Sequence, residues 1–184
     1  MEKAIGDECA DVAAEVLGAL VVCDDRQAAR VLDAIVKADQ VFLTGQGRTG
    51  LIARAFAMRL MHLGLKSFVV GDATAPAIGP QDLLVACSGS GQTRLTLTIA
   101  EQAKRLGARV VAIVGQPQCP LAEVADITAA IGDLPPEGAA ARLLPLASVF
   151  ELALFIYAEV LQVRLMRRLG VTESEMHARH ANLE

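Results

Sequence analysis

The stretch Gln40-Val-Phe-Leu-Thr-Gly-Gln-Gly-Arg-Thr-Gly50 decides the fold. Its first half is a short apolar run stopped by Gly45, which reads as a strand buried on both faces. Its second half, with Gly45, Gly47 and Gly50, turns the chain into a helical pattern over Arg48 to Leu63 that ends near Gly64. The same order of parts returns downstream. Asp82-Leu-Leu-Val-Ala-Cys87 is a strand, Ser88-Gly-Ser-Gly-Gln-Thr93 a second glycine-rich turn, and Thr93 to Leu106 a helix closed by Gly107.

Working outward, Ser67 to Val70 and Arg109 to Val114 read as further strands, and Asp126 to Ile131 as a weaker one. Pro117 to Val124 reads as a short helical turn. Upstream, residues 3–38 carry helical spacing (Ile5, Val12, Val16, Leu20, then Val31, Ala34, Ile35) with a break at Val21 to Asp25. Asp24 and Asp25 are suitable N-caps there. Downstream, Gly132 to Gly138 with Pro135-Pro136 is a loop, 145–168 a long helix, and Thr172 to Arg179 a short one. Strands alternating with helices imply parallel βαβ units and right-handed crossovers. The expected fold is α/β: a three-layer αβα sandwich on a five-stranded parallel sheet in the order 2-1-3-4-5. One domain is expected over 1–184, with a helical extension at 1–38, a sheet core at 39–132 and C-terminal helices at 143–184.

Composition narrows the function classes. The 184 residues are 53% hydrophobic, 21% charged and 3% aromatic, without tryptophan. That much apolar surface excludes disorder. The net charge of -4 and the absence of any Lys/Arg run leave no footprint for nucleic acid. Arg164, Arg167 and Arg168 have the spacing of a solvated helix face. The start, Met1-Glu2-Lys3 to Asp7-Glu8, lacks the apolar region of a signal peptide. The longest apolar region, Leu143 to Ala158, is interrupted by Pro145 and Glu151 and too short for a bilayer. Cys9, Cys23, Cys87 and Cys119 form no CxxC pair, so reduced thiols and a cytoplasmic location are expected, with no zinc site or other metal.

Two loops carry the chemistry. Gly45-Gln-Gly-Arg-Thr-Gly50 matches GxGxxG, and Asp72 closes the next strand at the spacing of a dinucleotide fingerprint. A nicotinamide enzyme or a plain tight turn would both fit that loop alone. Ser88 to Thr93 places three hydroxyls and two glycines at a helix start, where N–H groups attract an anion. Plain N-capping would need one hydroxyl, not three. In the order 2-1-3-4-5 both loops face one crevice at the topological switch point, where open α/β sheets bind ligands. A phosphate with a small polyol fills such a crevice better than a dinucleotide.

Together with the helix before the first strand, these loops resemble the SIS (sugar isomerase) domain family, whose phosphate loop Ser88-Gly-Ser-Gly-Gln-Thr93 matches. Within it, Gly45-x-Gly-Arg-Thr-Gly50, Met58-Arg-Leu-Met-His-Leu-Gly64 and the tail Arg179-His-Ala-Asn-Leu-Glu184 are similar to the 6-phospho-3-hexuloisomerases. The first loop more often reads GAGRSG there; Gln46 and Thr49 depart from it, and Thr49 keeps the hydroxyl. The resemblance covers essentially the whole chain. It implies interconversion of 3-hexulose 6-phosphate and fructose 6-phosphate, the ribulose monophosphate route of formaldehyde assimilation, no cofactor and a homotetramer. It also implies a substrate site of Gly47, Arg48, Thr49, Ser88, Gly89, Ser90, Gln92 and Thr93.

Moving a carbonyl between neighbouring carbons needs a base, and a carboxylate suffices through a cis-enediol. Glu151 lies in the apolar helical run Val149 to Phe155, and the matching position in similar isomerases carries the base. A solvated or structural carboxylate is the alternative. The resemblance also implies a tail histidine that reaches an active site, often a neighbour's; His180 is favoured over His177. His62 reads as a core or subunit contact. Arg48 contacts substrate or an acidic neighbour. Asp72 reads as a strand-end turn residue. Other sugar-phosphate isomerases of the class (phosphoheptose or arabinose-5-phosphate type), a sugar-phosphate sensor module and a nicotinamide dehydrogenase remain as alternatives. Sensors usually carry a partner domain, for which 184 residues leave no room.

Overall fold

The apolar runs become strands, fully buried at the centre of the sheet and half-buried at its edges. These are β1 (Val41–Thr44), β2 (Ser67–Val69), β3 (Leu83–Ser88), β4 (Arg109–Val114) and β5 (Ile127–Ala130). The structure, a computed structural model, describes residues 3–132, 143–145 and 147–183. Every residue of β1 and β3 is buried, as a central parallel strand requires. The strands form one parallel sheet in the order β2-β1-β3-β4-β5, as expected. β1 and β3 are therefore neighbours, with Thr44 beside Ala86, and the chain reverses its direction of travel across the sheet between them.

The helices are α1 (Ile5–Leu20), α2 (Asp25–Lys37), α3 (Gly47–His62), α4 (Arg94–Arg105), α5 (Pro120–Val124), α6 (Ser148–Leu169) and α7 (Glu173–Ala178). The period of two along the strands divides the core. Val41, Leu43, Leu83, Val85, Cys87, Val111 and Ile113 point to α2, α3 and α6, with Ile35, Phe56, Leu60, Phe150 and Leu161 against them. Phe42, Leu84, Ala86, Val110 and Ala112 point the other way, to Ala100 and Ala103 of α4 and Leu121 of α5. These are the three layers.

Boundaries differ from expectation where caps intervene. The break before α2 falls as expected, with the Asp24 carboxylate accepting from the N–H groups of Arg26 (2.6 Å) and Gln27 (3.2 Å). Yet α2 is part of the layer that covers the sheet, while α1 packs on α6. α5 starts at Pro120, which suits the first helical position because no N–H is needed there. α6 starts at Ser148 rather than 145, since the Pro145 carbonyl accepts from the Ser148 N–H (3.1 Å) and Ala147 is left-handed at φ 62°. α6 ends at Gly170, φ 66°. The expected Pro135-Pro136 loop lies outside the described residues. Among the described residues no helix is long and apolar enough to cross a membrane.

Candidate active site

The loop after β3 is held by its own hydroxyls. Ser88 Oγ accepts from the Gly91 N–H (3.1 Å) and lies 2.9 Å from Thr93 Oγ1. Ser90 Oγ accepts from the Gln92 N–H (3.2 Å). Thr93 occupies the N-cap position of α4, but its side chain makes no capping bond. The first N–H groups of α4 are thus not capped by Thr93, and uncapped N–H groups at a helix start attract an anion. Ser88, Gly89 and Gly91 are buried, while Ser90 and Gln92 are exposed.

Close packing explains two of its glycines. Gly91 is left-handed at φ 64°, and a Cβ there would overlap the Cys119 side chain. A Cβ on Gly89 would stand 3.0 Å from the Phe150 ring. The Gly91 and Gly89 carbonyls accept from the N–H groups of Leu121 and Gly115, both at 3.0 Å. The loop is therefore clamped between α5, the end of β4 and the first turn of α6.

The loop after β1 is built differently. A Cβ on Gly50 would stand 2.6 Å from the Gly45 carbonyl oxygen, so this turn needs a bare Cα. Gly47 is left-handed (φ 58°) and nothing lies within 4 Å of its missing side chain. Thr49 is buried, whereas Arg48 projects outward. The Arg48 Nη2 lies 2.5 Å from Oε2 of Glu151 and donates to Ser148 Oγ at 3.0 Å. Of the two readings of Arg48, the structure displays the acidic neighbour. The Glu151 side chain is 13% exposed. It follows Phe150, which lies on Gly89, so the first turn of α6 touches both loops and brings its carboxylate to their junction. Asp72 lies in the turn that follows β2 and pairs with Arg54 (2.8 Å).

Residue-by-residue reading missed Ser148, Phe150 and Cys119. The one available signal for Ser148 is its spacing, one helical turn before Glu151 on the same face. Phe150 and Cys119 gave none, since only the three-dimensional approach of α6 and α5 brings them to the loop.

The structure does not bring His180 to the Glu151 of its own chain. The His180 ring stacks on His62 with centroids 5.2 Å apart, and His177 lies 6.5 Å from it. Arg179 Nη1 donates to the His62 carbonyl (3.0 Å) and packs over Gly64, which pins the tail. His62 closes α3 and Arg48 opens it, a separation of roughly 21 Å at 1.5 Å per residue. His62 is buried, and burial lowers its pKa below 6.5, helped by the nearby charges of His180 and Arg59.

A 3-hexulose-6-phosphate isomerase of Methanocaldococcus jannaschii is 42% identical over 154 residues, covering 83% of this chain and 82% of that protein. One from Mycobacterium gastri is 41% identical over 182 residues, covering 98% and 88%. A crystal structure from Methanococcus jannaschii, whose molecular function was inferred as 3-hexulose-6-phosphate isomerase, superposes with a TM-score of 0.82 at 37% identity. It covers 97% of this chain and 99% of the other. The SIS domain matches residues 34–159, from the end of α2 to the middle of α6, which takes in the sheet, both loops and Glu151. The chain belongs to the SIS domain family.

Proposed function

We propose that this protein is a 6-phospho-3-hexuloisomerase acting through Glu151. The observation that carries the reading is a mostly buried carboxylate at the junction of two glycine-rich loops on adjacent strand ends. Relatives that are 3-hexulose-6-phosphate isomerases, at 41–42% identity over most of the chain, support the substrate.

In this reading the phosphate sits at the head of α4, on Ser88, Gly89, Ser90, Gln92 and Thr93. The sugar lies toward Gly47, Arg48 and Thr49. The Glu151 carboxylate removes the C2 proton of 3-hexulose 6-phosphate, the electrons shift to give the 2,3-cis-enediol, and the same proton returns at C3 as the carbonyl forms at C2. A hydroxyl proton moves from O2 to O3 in the same exchange, a task suited to a histidine near neutral pH. His180 of the same chain is at the far end of α3, so we assign this role to the His180 of a neighbouring subunit.

Residues 1–184 act as one domain in a cytoplasmic homotetramer. An apolar stripe on α6 supports assembly: Leu152, Phe155, Ile156, Val160 and Val163 are exposed opposite the stripe that enters the core. Exposed apolar faces of this kind mark interfaces, and closed symmetry favours dimers and tetramers. The pathway would be formaldehyde assimilation through ribulose monophosphate.

The deciding experiment is formation of fructose 6-phosphate from 3-hexulose 6-phosphate, compared with phosphoheptose and arabinose 5-phosphate substrates. Turnover of either alternative in preference would replace the substrate assignment. Mixing Glu151→Gln subunits with a variant lacking 175–184 tests the shared site. Restored activity is expected, and none after confirmed subunit exchange would return the tail to its own subunit.

A further inference from the structure

Arg48 of the first loop and Glu151 of α6 are joined by a third side chain that the proposed reaction does not use. A single nitrogen, Arg48 Nη2, donates to Ser148 Oγ (3.0 Å) and lies 2.5 Å from Glu151 Oε2 as an ion pair rather than a hydrogen bond. We propose that Ser148 is a positioning residue. Its hydroxyl holds the Arg48 guanidinium over the junction of the loops, so that Arg48 keeps the Glu151 carboxylate aimed into the crevice.

Three observations carry this. First, the Arg48 side chain is 56% exposed, and an exposed ion pair contributes little because a long side chain must give up its rotamer freedom to form it. A second anchor removes that freedom in advance. Second, Ser148 is the first residue of α6, a helix whose N-cap residue, Ala147, provides no side-chain cap. A serine hydroxyl at a helix start ordinarily turns back to the helix's own N–H groups. This one turns outward to Arg48. Third, each partner follows a left-handed residue: Gly47 (φ 58°) precedes Arg48, and Ala147 (φ 62°) precedes Ser148. Ala147 is the one non-glycine residue with positive φ among the described residues. Such a conformation is unfavourable for a residue with a Cβ and persists where its surroundings enforce it. The two turns aim successive side chains at one point, and Glu151 stands one turn beyond Ser148 on the same face.

The catalytic half of the proposal rests on the isomerase reading, so the test has two arms. In the first, Ser148→Ala and Ser148→Thr are assayed with 3-hexulose 6-phosphate. Loss of one hydrogen bond to a charged group predicts a fall in kcat of about tenfold for Ser148→Ala, with KM within about twofold, and recovery in Ser148→Thr. In the second, the Nε–Hε order parameter of Arg48 is measured by ¹⁵N relaxation in the ligand-free protein. It falls in Ser148→Ala and is regained in Ser148→Thr. An Arg48 as ordered in Ser148→Ala as in the wild type overturns the proposal, whatever the activity. Wild-type kcat in Ser148→Ala also overturns it. A wild-type protein inert toward 3-hexulose 6-phosphate would defeat the isomerase reading, while the relaxation arm would still decide whether Ser148 holds Arg48.

Discussion

The two glycine-rich loops follow adjacent strands and open helices of similar kind, yet their glycines do different work. In the loop after β3, Gly91 and Gly89 make room for other elements: the Cys119 side chain presses on one and the Phe150 ring on the other. In the loop after β1, Gly50 makes room only for the loop's own Gly45 carbonyl, and Gly47 faces open space. One loop is a cradle clamped from outside. The other is a launch point for a charged side chain, Arg48, that crosses to α6. Glycine count alone therefore says where a chain turns, and the neighbours decide what the turn is for.

The largest expected effect lies where the two loops meet. Glu151→Gln keeps the shape but removes the proton acceptor, so kcat should fall by ~10²–10⁴-fold with KM nearly unchanged. Steady-state kinetics check this, and a variant with more than about half the wild-type kcat would place the base elsewhere.

The contrast between the loops is tested by one substitution in each. Gly91→Ala adds left-handed strain and an overlap with Cys119, together about 2–5 kcal/mol of lost stability. Gly47→Ala adds the strain alone, about 1–2 kcal/mol. Urea unfolding of the pair measures the difference; equal losses would mean that the clamp on the second loop yields freely.

Within the cradle, Ser90→Ala should raise KM by about tenfold and leave the melting temperature unchanged, because Ser90 is exposed and its hydroxyl supports only the Gln92 N–H. Ser88→Ala should weaken binding and also lower the melting temperature, since its hydroxyl ties Gly91 to Thr93 inside the loop. Unaltered KM in the double variant would remove the phosphate from this loop.

The smallest effect belongs to the tail. The pKa of His62 is lowered from 6.5, so the unfolded chain binds the proton more readily than the folded one. Stability is then complete above the unfolded value and declines as pH falls from about 6.5 toward the lowered folded value. Thermal melts across that range should show a decline in the wild type that His62→Gln reduces. Equal slopes would show that the burial of His62 carries no such penalty.

Much of this molecule was legible in one dimension because a parallel sheet enforces simple local rules. Strands buried on both faces must be unbroken apolar runs, and each run here ends in a glycine-rich or capped turn. Residues 40–50 and 82–93 therefore determined the strand order's pivot and the position of both loops. Glu151 stood out because a carboxylate inside Val149 to Phe155 conflicts with its surroundings unless something receives it. What receives it was decided only by tertiary structure. Arg48 and Ser148 are 100 residues apart, and nothing local pairs them. The same holds for Cys119 against Gly91 and Phe150 against Gly89, contacts set by how α5 and α6 dock on the sheet. His180 too is placed by the tertiary structure. Its tail pattern suggested a histidine that reaches a neighbour's site, and within its own chain the fold sets it on His62, at the opposite end of α3 from Arg48. A motif records what a residue is, whereas helix length fixes how far it stands from the site, and about 21 Å of α3 separates the two.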